Sequence, residues 1–445
     1  MKAALSLFAA LSSLFSFCMP LQAQNDPVFE AYKTWNAEHQ TTDSDARAQS
    51  LFQVSAEWVA KWPDSELAWV ERRNSLLSTH SHSPELWKQV DENLIRLNPP
   101  HTWALSAAQD WVAADVNLKD AETLVSAEIQ RHDAQAPPAL PQNPTLADLV
   151  DEADSTAEIF APLVTLASAQ IKLKEFDDAP ATISRIRRWL DDDFKRYFDQ
   201  DPFEAFPDYE SRYFTLSAEL AQAEGKSADA LAFYQKVVTN PYYRREYARR
   251  AKEPEVLWKE LGGTDDGWTV FSQVPALPAG VPTGNSGIPF SPWLALDYKL
   301  PEMTLTGLDS RTWTNKDFEG KSTVVYLWAS WCAPCRPHLP DIQALYNQIE
   351  DRRDVQIVTL SVDEDREKLA AFMKEQGFTF PVIVSKPYVE RVLPQFMLGQ
   401  HWIVDASGSI RLQRTSSNYG GRQRAFIEEA LYKLSQVSQM SRSGK

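Results

Sequence analysis

Apolar residues recur at helical spacing along nearly all of residues 27 to 262, with few β-branched runs and very little glycine. Short breakers interrupt the pattern at Trp62-Pro63-Asp64, Asn98-Pro99-Pro100 and Asn240-Pro241, where helices are expected to stop. This region reads as all-α, built from helical hairpins. Beyond it the period changes. Residues 303–305, 323–328, 355–362, 381–384, 402–404 and 410–412 read as strands, and residues 341–349, 366–376 and 426–434 as helices. Strands and helices in alternation, closing with a hairpin at Ser407-Gly408 and a last helix, predict a mixed α/β sheet covered on both faces.

Two stretches break these patterns. Residues 136–144 read as a surface loop, and residues 274–292 concentrate Pro, Gly, Ser and Asn, which marks the main boundary. The expected organisation is a leader over residues 1–23, a helical domain over 24–270, a linker over 271–293 and an α/β domain over 294–445. Within the helical part, residues 218–234 resemble one tetratricopeptide unit: small residues let two helices approach, Gly225-Lys226 makes the turn, and Ala230 and Tyr234 face the partner helix. Weaker echoes occur at residues 117–121 and 174–179, and the breakers Pro63 and Pro99 stand 36 residues apart. That interval is close to the tetratricopeptide period of ~34, although residues 189–207 interrupt any strict array. Repeats of this kind form a concave surface that takes protein or peptide, so such a ligand is an expected partner. The alternative is that the helices only pack against the second domain.

The first residues change the picture of where the protein works. Lys2, an apolar run to Phe17 and Leu21-Gln22-Ala23 before a polar stretch form the pattern of a secretory signal peptide, and imply a periplasmic or secreted mature chain. Cys18 gives a rival reading as a lipid-attachment site, but Phe17 ahead of it is bulky for that role. The formal charge of -16 is uneven, since the residues from 296 onward carry 18 acids and 19 bases. The acidity therefore belongs to the helical part, and its field disfavours nucleic acid as a partner.

With Cys18 in the leader, two of the three cysteines remain, in Trp331-Cys332-Ala333-Pro334-Cys335. A cycling dithiol needs one sulfur accessible as thiolate and a second close enough to resolve a mixed disulfide. A Cys-x-x-Cys pair that follows a strand-like run and opens a helix-like one meets both needs, because unpaired N–H groups at a helix start stabilise thiolate. Cys332 is the expected nucleophile and Cys335 the resolving thiol. Pro334 suits the first turn, and Pro340 is expected to kink the helix. Arg336 is expected to point into solvent. His338, three residues after Cys335, offers a proton donor or acceptor, against the plainer reading of an exposed histidine. No metal or cofactor is expected.

Residues 324–336, then Pro340, Ser361-Val362-Asp363 and Phe380-Pro381-Val382, resemble the TlpA-like thioredoxin-fold thiol-disulfide oxidoreductases over roughly the last third of the chain. The resemblance implies a Cys332–Cys335 disulfide that cycles, disulfides of other exported proteins as substrates, a membrane electron donor for re-reduction, and Trp331 and Pro334 as supporting residues. It also exposes departures. Tyr326 stands where relatives place a buried Asn or Asp, and His338 where they often carry Glu. Gly399 stands at the position of the family's cis-proline, where a trans bond and a glycine-specific dihedral are expected. Pro394 is the alternative match. These departures leave open a second reading, a protein-binding helical scaffold with a weak or regulatory thioredoxin-like domain.

Overall fold

A computed structural model describes residues 26–39, 43–80, 83–97, 102–135, 140–198, 206–240, 252–275, 293–393, 398–414 and 430–438. The expected leader, Cys18, Pro394 and most of the expected linker lie outside these residues. The chain divides into two compact units that are not contiguous in sequence. One comprises residues 1–136, 159–186 and 219–226, and the other residues 137–158, 187–218 and 227–445.

The first unit is helical. Its helices are α1 (Pro27–Glu38), α2 (Ser44–Lys61), α3 (Glu66–Ser78), α4 (Pro84–Leu97), α5 (Thr102–Ala114), α6 (Leu118–Ala134), α8 (Phe160–Leu173) and most of α9 (Ala179–Arg188). Consecutive helices pack on one another, α2 on α3, α3 on α4 and α5 on α6, while α8 packs on α6. Caps start them where the sequence supplies oxygen acceptors: the Asp43 carboxylate accepts from the N–H groups of Asp45 and Ala46, and Ser65 Oγ from that of Ala68. Leu76, Leu94, Ala107, Trp111 and Val125 are buried. Leu76, Leu94 and Val125 each contribute roughly 1.5–3 kcal/mol by leaving water.

The second unit holds α7 (Leu146–Glu158), a π-helical turn at Trp189–Phe194, part of α10 (Phe206–Ala223), α11 (Ser227–Val238), α12 (Lys252–Glu260), α13 (Asp265–Phe271) and an eight-stranded sheet. The strands are β1 (Leu294–Lys299), β2 (Thr304–Gly307), β3 (Thr312–Thr314), β4 (Ser322–Trp328), β5 (Val355–Ser361), β6 (Val382–Val384), β7 (His401–Val404) and β8 (Ser409–Arg414), in the order β1-β8-β7-β4-β5-β6-β2-β3. β4, β5 and β6 run parallel, and β7 and β8 form an antiparallel hairpin beside β4. The sheet is mixed, as the alternating pattern predicts. All seven residues of β4 are buried, so both its faces are covered. That is the reason the run Val324-Val325-Tyr326-Leu327-Trp328 is apolar without alternation. Helices α14 (Leu339–Ile349) and α16 (Lys386–Val392) pack on β5, and α15 (Arg366–Gln376) precedes β6. β1, β3 and α16 are elements that the sequence pattern does not predict.

Candidate active site

The site grows from the C-terminal ends of β4 and β5. Their parallel register pairs Trp328 with Ser361, and the N–H of Val362 donates to the carbonyl of Trp328 at 3.0 Å. Past Trp328 the chain leaves the sheet in a tight turn, with the Cys332 N–H on the Ala329 carbonyl at 3.1 Å. Cys332 and Cys335 form a disulfide with Cα atoms 5.3 Å apart. The N–H groups of Cys335 and Arg336 both donate to the Cys332 carbonyl, at 3.1 and 3.2 Å. A 3₁₀ turn at Arg336–His338 follows, and α14 begins at Leu339.

This corrects one expectation. Pro340 sits in the first turn of α14, where its missing N–H removes no helical bond, and so it starts the helix rather than kinking it. The cysteine pair occupies the turns ahead of that helix.

Exposure around the pair is uneven. Trp331 is 66% exposed, and Ala333 and Pro334 are also exposed, whereas Cys332 retains 5% and Cys335 1% of its surface. Arg336 is exposed, and its side chain is held at the surface: its Nε donates to the Ser330 carbonyl at 3.0 Å, and its guanidinium lies 5.3 Å from the centre of the Phe372 ring.

Gly399 joins the site from the other side of β4. Its N–H donates to the Leu327 carbonyl at 2.8 Å, and the Leu327 N–H donates to the Gln400 carbonyl at 3.0 Å, which prolongs the β4–β7 ladder. Gly399 has φ +95°, and no cis peptide bond occurs among the described residues. A Cβ there would meet nothing within 4 Å, so the backbone angle is what calls for glycine.

Across β4, β7 and β8 runs a row of buried polar side chains. Tyr326 on β4 pairs with His401 on β7, whose own register partner is Arg414 on β8. The Tyr326 and His401 rings lie 4.6 Å apart between centres. Burial, with the nearby Arg414 cation, lowers the pKa of both His401 and His338, which favours neutral imidazoles. Burial raises the Tyr326 phenol well above its usual range and pushes the Asp341 carboxyl up to about 6. His338 is half-buried rather than exposed.

Asp363, which the sequence offers only as part of the resemblance at Ser361-Val362-Asp363, has a place in the site that the sequence does not assign. The Ser330 N–H and Oγ donate to its carboxylate at 2.8 and 2.6 Å, and Ser361 Oγ donates to it at 2.7 Å. The sequence signals are its place just past a buried strand and its part in the Ser361-Val362-Asp363 resemblance.

With this geometry in view, the comparisons with known proteins can be stated. Residues 296–412 match the model of the AhpC/TSA family. This C-terminal part of the chain is a thioredoxin-fold domain. It is similar to the thiol-disulfide oxidoreductase ResA of Geobacillus thermodenitrificans, at 26% identity over 121 residues, which are 26% of this chain and 68% of that protein. It is also similar to the thioredoxin-like protein YneN of Bacillus subtilis, at 24% identity over 33% of this chain and 78% of the other. Among solved structures, a thiol:disulfide interchange protein from Chlorobium tepidum shares 23% identity, covering 31% of this chain and 98% of its own, with a TM-score of 0.27. The stretch matched by the family model includes the Cys332–Cys335 pair.

Proposed function

We propose that this chain is an exported thiol-disulfide oxidoreductase that reduces disulfides of other exported proteins. The carrying observation is a Cys332–Cys335 disulfide at the end of a buried parallel strand, next to the exposed Trp331, Ala333 and Pro334. In the reduced enzyme the Cys332 thiolate attacks one sulfur of a substrate disulfide, forming a mixed disulfide and releasing the other substrate sulfur as thiolate. Cys335, once deprotonated, attacks Cys332 Sγ. The mixed disulfide breaks, the second substrate thiolate leaves, and the enzyme disulfide closes. Two electrons pass to the substrate, and a membrane electron donor returns two to the enzyme. The neutral imidazole of His338 is the candidate acceptor for the Cys335 proton. No helix among the described residues is long and apolar enough to cross a membrane. The test is reduction of insulin disulfides by wild type and by Cys332→Ser. Activity confined to the wild type supports the reading, and equal rates overturn it.

A second reading, a binding scaffold, is favoured by one feature. A groove of about 590 Å³ in the helical unit is lined by Trp35 and Trp58 with Glu30, Glu38 and Glu57. The full chain with both cysteines changed to serine would still capture exported proteins under this reading. Loss of all capture on that change counts against it.

A further inference from the structure

Ser330 lies two residues before the reactive pair, and its backbone is held on both sides. Its N–H and hydroxyl donate to the two oxygens of the Asp363 carboxylate, at 2.8 and 2.6 Å. Its carbonyl accepts from Arg336 Nε at 3.0 Å. Arg336 directly follows Cys335, so Ser330 and Arg336 bracket the segment that carries both cysteines, and the Arg336–Ser330 bond closes that segment into a loop. Asp363 ties the loop to the sheet.

The tether continues inward. Asp363 is only 6% exposed and also receives the Ser361 hydroxyl at 2.7 Å, while its own N–H donates to Ser361 Oγ at 3.1 Å. The Ser361 carbonyl in turn accepts from the Ser385 N–H at 2.8 Å and the Ser385 hydroxyl at 3.1 Å. Ser330, Ser361 and Ser385 follow or end β4, β5 and β6, the three parallel strands. One carboxylate thus links the cysteine loop to the carboxyl ends of the central strands, the edge where sites form in parallel sheets. Three hydroxyl or amide donors satisfy this buried carboxylate, which takes the place of a counter-ion.

We propose that Asp363 is a positioning residue for the dithiol: through Ser330 it holds the Cys332–Cys335 loop in its disulfide-forming geometry and so sets how readily the pair is reduced. The inference rests on the thiol-disulfide reading of the site. A loop held by the sheet has less freedom left to lose on ring closure, so the two sulfurs meet at a higher effective concentration. Loosening it favours the open dithiol. The reaction that reports this is exchange with glutathione, in which two glutathione thiols are oxidised to glutathione disulfide, the protein S–S bond breaks, and two cysteine thiols form.

The experiment is the equilibrium constant of that exchange in the full chain, measured for wild type, Asp363→Ala, Asp363→Asn and Ser330→Ala. Asp363→Ala is expected to shift it about tenfold toward the dithiol, which is about 30 mV for a two-electron couple. Ser330→Ala, which keeps the N–H bond, is expected to shift it about threefold. Asp363→Asn keeps an acceptor for Ser330 without the charge, and is expected to stay near wild type. An unchanged constant in folded Asp363→Ala overturns the proposal. Equal shifts in the Asn and Ala variants overturn it as well, because charge alone would then explain them. Should Asp363→Ala fail to fold by circular dichroism, Ser330→Ala decides, and an unshifted value there is a refutation. Insulin reduction is read separately: a wild type inactive on insulin whose glutathione constant still responds to Asp363→Ala sinks the proposed activity and keeps the positioning role.

Discussion

Asp341 lies in the first turn of α14, buried, and burial pushes its carboxyl from 3.8 up to about 6. Its ionisation is thus harder in the folded chain than in the unfolded one. Well below pH 3.8 both states are protonated and the group contributes no penalty; as pH rises from about 3 to 6 the unfolded state releases its proton first, and stability falls. Asp341→Asn is therefore expected to stabilise the protein by about 1–2 kcal/mol at pH 7.5 and by less than about 0.5 kcal/mol at pH 4, checked by urea unfolding at the two values. His338 acts in the opposite direction. Its folded pKa is depressed, so stability is lost as pH falls below 6.5, and His338→Gln should flatten that acid limb in the same titration. At this scale the sequence made the cysteines legible, because a two-residue spacing after an apolar run has few other uses. The contact of Asp363 with Ser330 was not legible, because the two lie 33 residues apart and only the parallel pairing of β4 with β5 brings them together. Pro340 was misread because the helix start was placed at the cysteines rather than at Leu339.

Between elements, Arg73 on α3 does what no single helix pattern discloses. Its guanidinium bonds Asp91 of α4 at 2.8 Å, Asp110 of α5 and Ser106 Oγ at 3.1 Å, and lies 5.5 Å from the centre of the Trp103 ring. Burial still raises both carboxyls, Asp91 to about 6, so the pairs do not fully offset desolvation. Arg73→Met would leave two buried acids without their cation and is expected to destabilise the chain by about 3–5 kcal/mol at pH 7, and by less at pH 5, where Asp91 is largely protonated. Chemical denaturation at both pH values measures the difference. Gly225 carries a second prediction. It turns the chain at φ +78°, with the Lys226 N–H on the Ala221 carbonyl at 2.8 Å, so Gly225→Ala should cost about 1–2 kcal/mol by the same assay. The long elements were readable because ten or more residues sample a period several times. β3 has three residues, α16 seven, and β1 follows directly on a stretch rich in Pro and Gly, so each was too short or too masked by its flank to register.

Across the whole molecule, chain order and compactness diverge. β1 stands at one edge of the sheet, bound to β8 on one side, and on the other Leu294 forms an isolated antiparallel bridge with Phe198. α7 and the short helix Lys195–Tyr197 pack against β1, and Phe198, Trp293 and Leu294 are all buried. Phe198 continues an aromatic cluster, with ring centres 5.0 Å from Phe194, which in turn lies 5.5 Å from Trp189 and 5.2 Å from Tyr209. Helical residues far upstream of the cysteine domain thus cover its edge strand, a position where an uncovered strand invites pairing with other chains. A fragment beginning at Trp293 is expected to unfold at lower urea than the full chain and to self-associate, and Phe198→Ala in the full chain should lose about 3–5 kcal/mol. Both are read by urea titration with light scattering. A fragment as stable and as monomeric as the full chain would show that the upstream helices contribute nothing to the sheet.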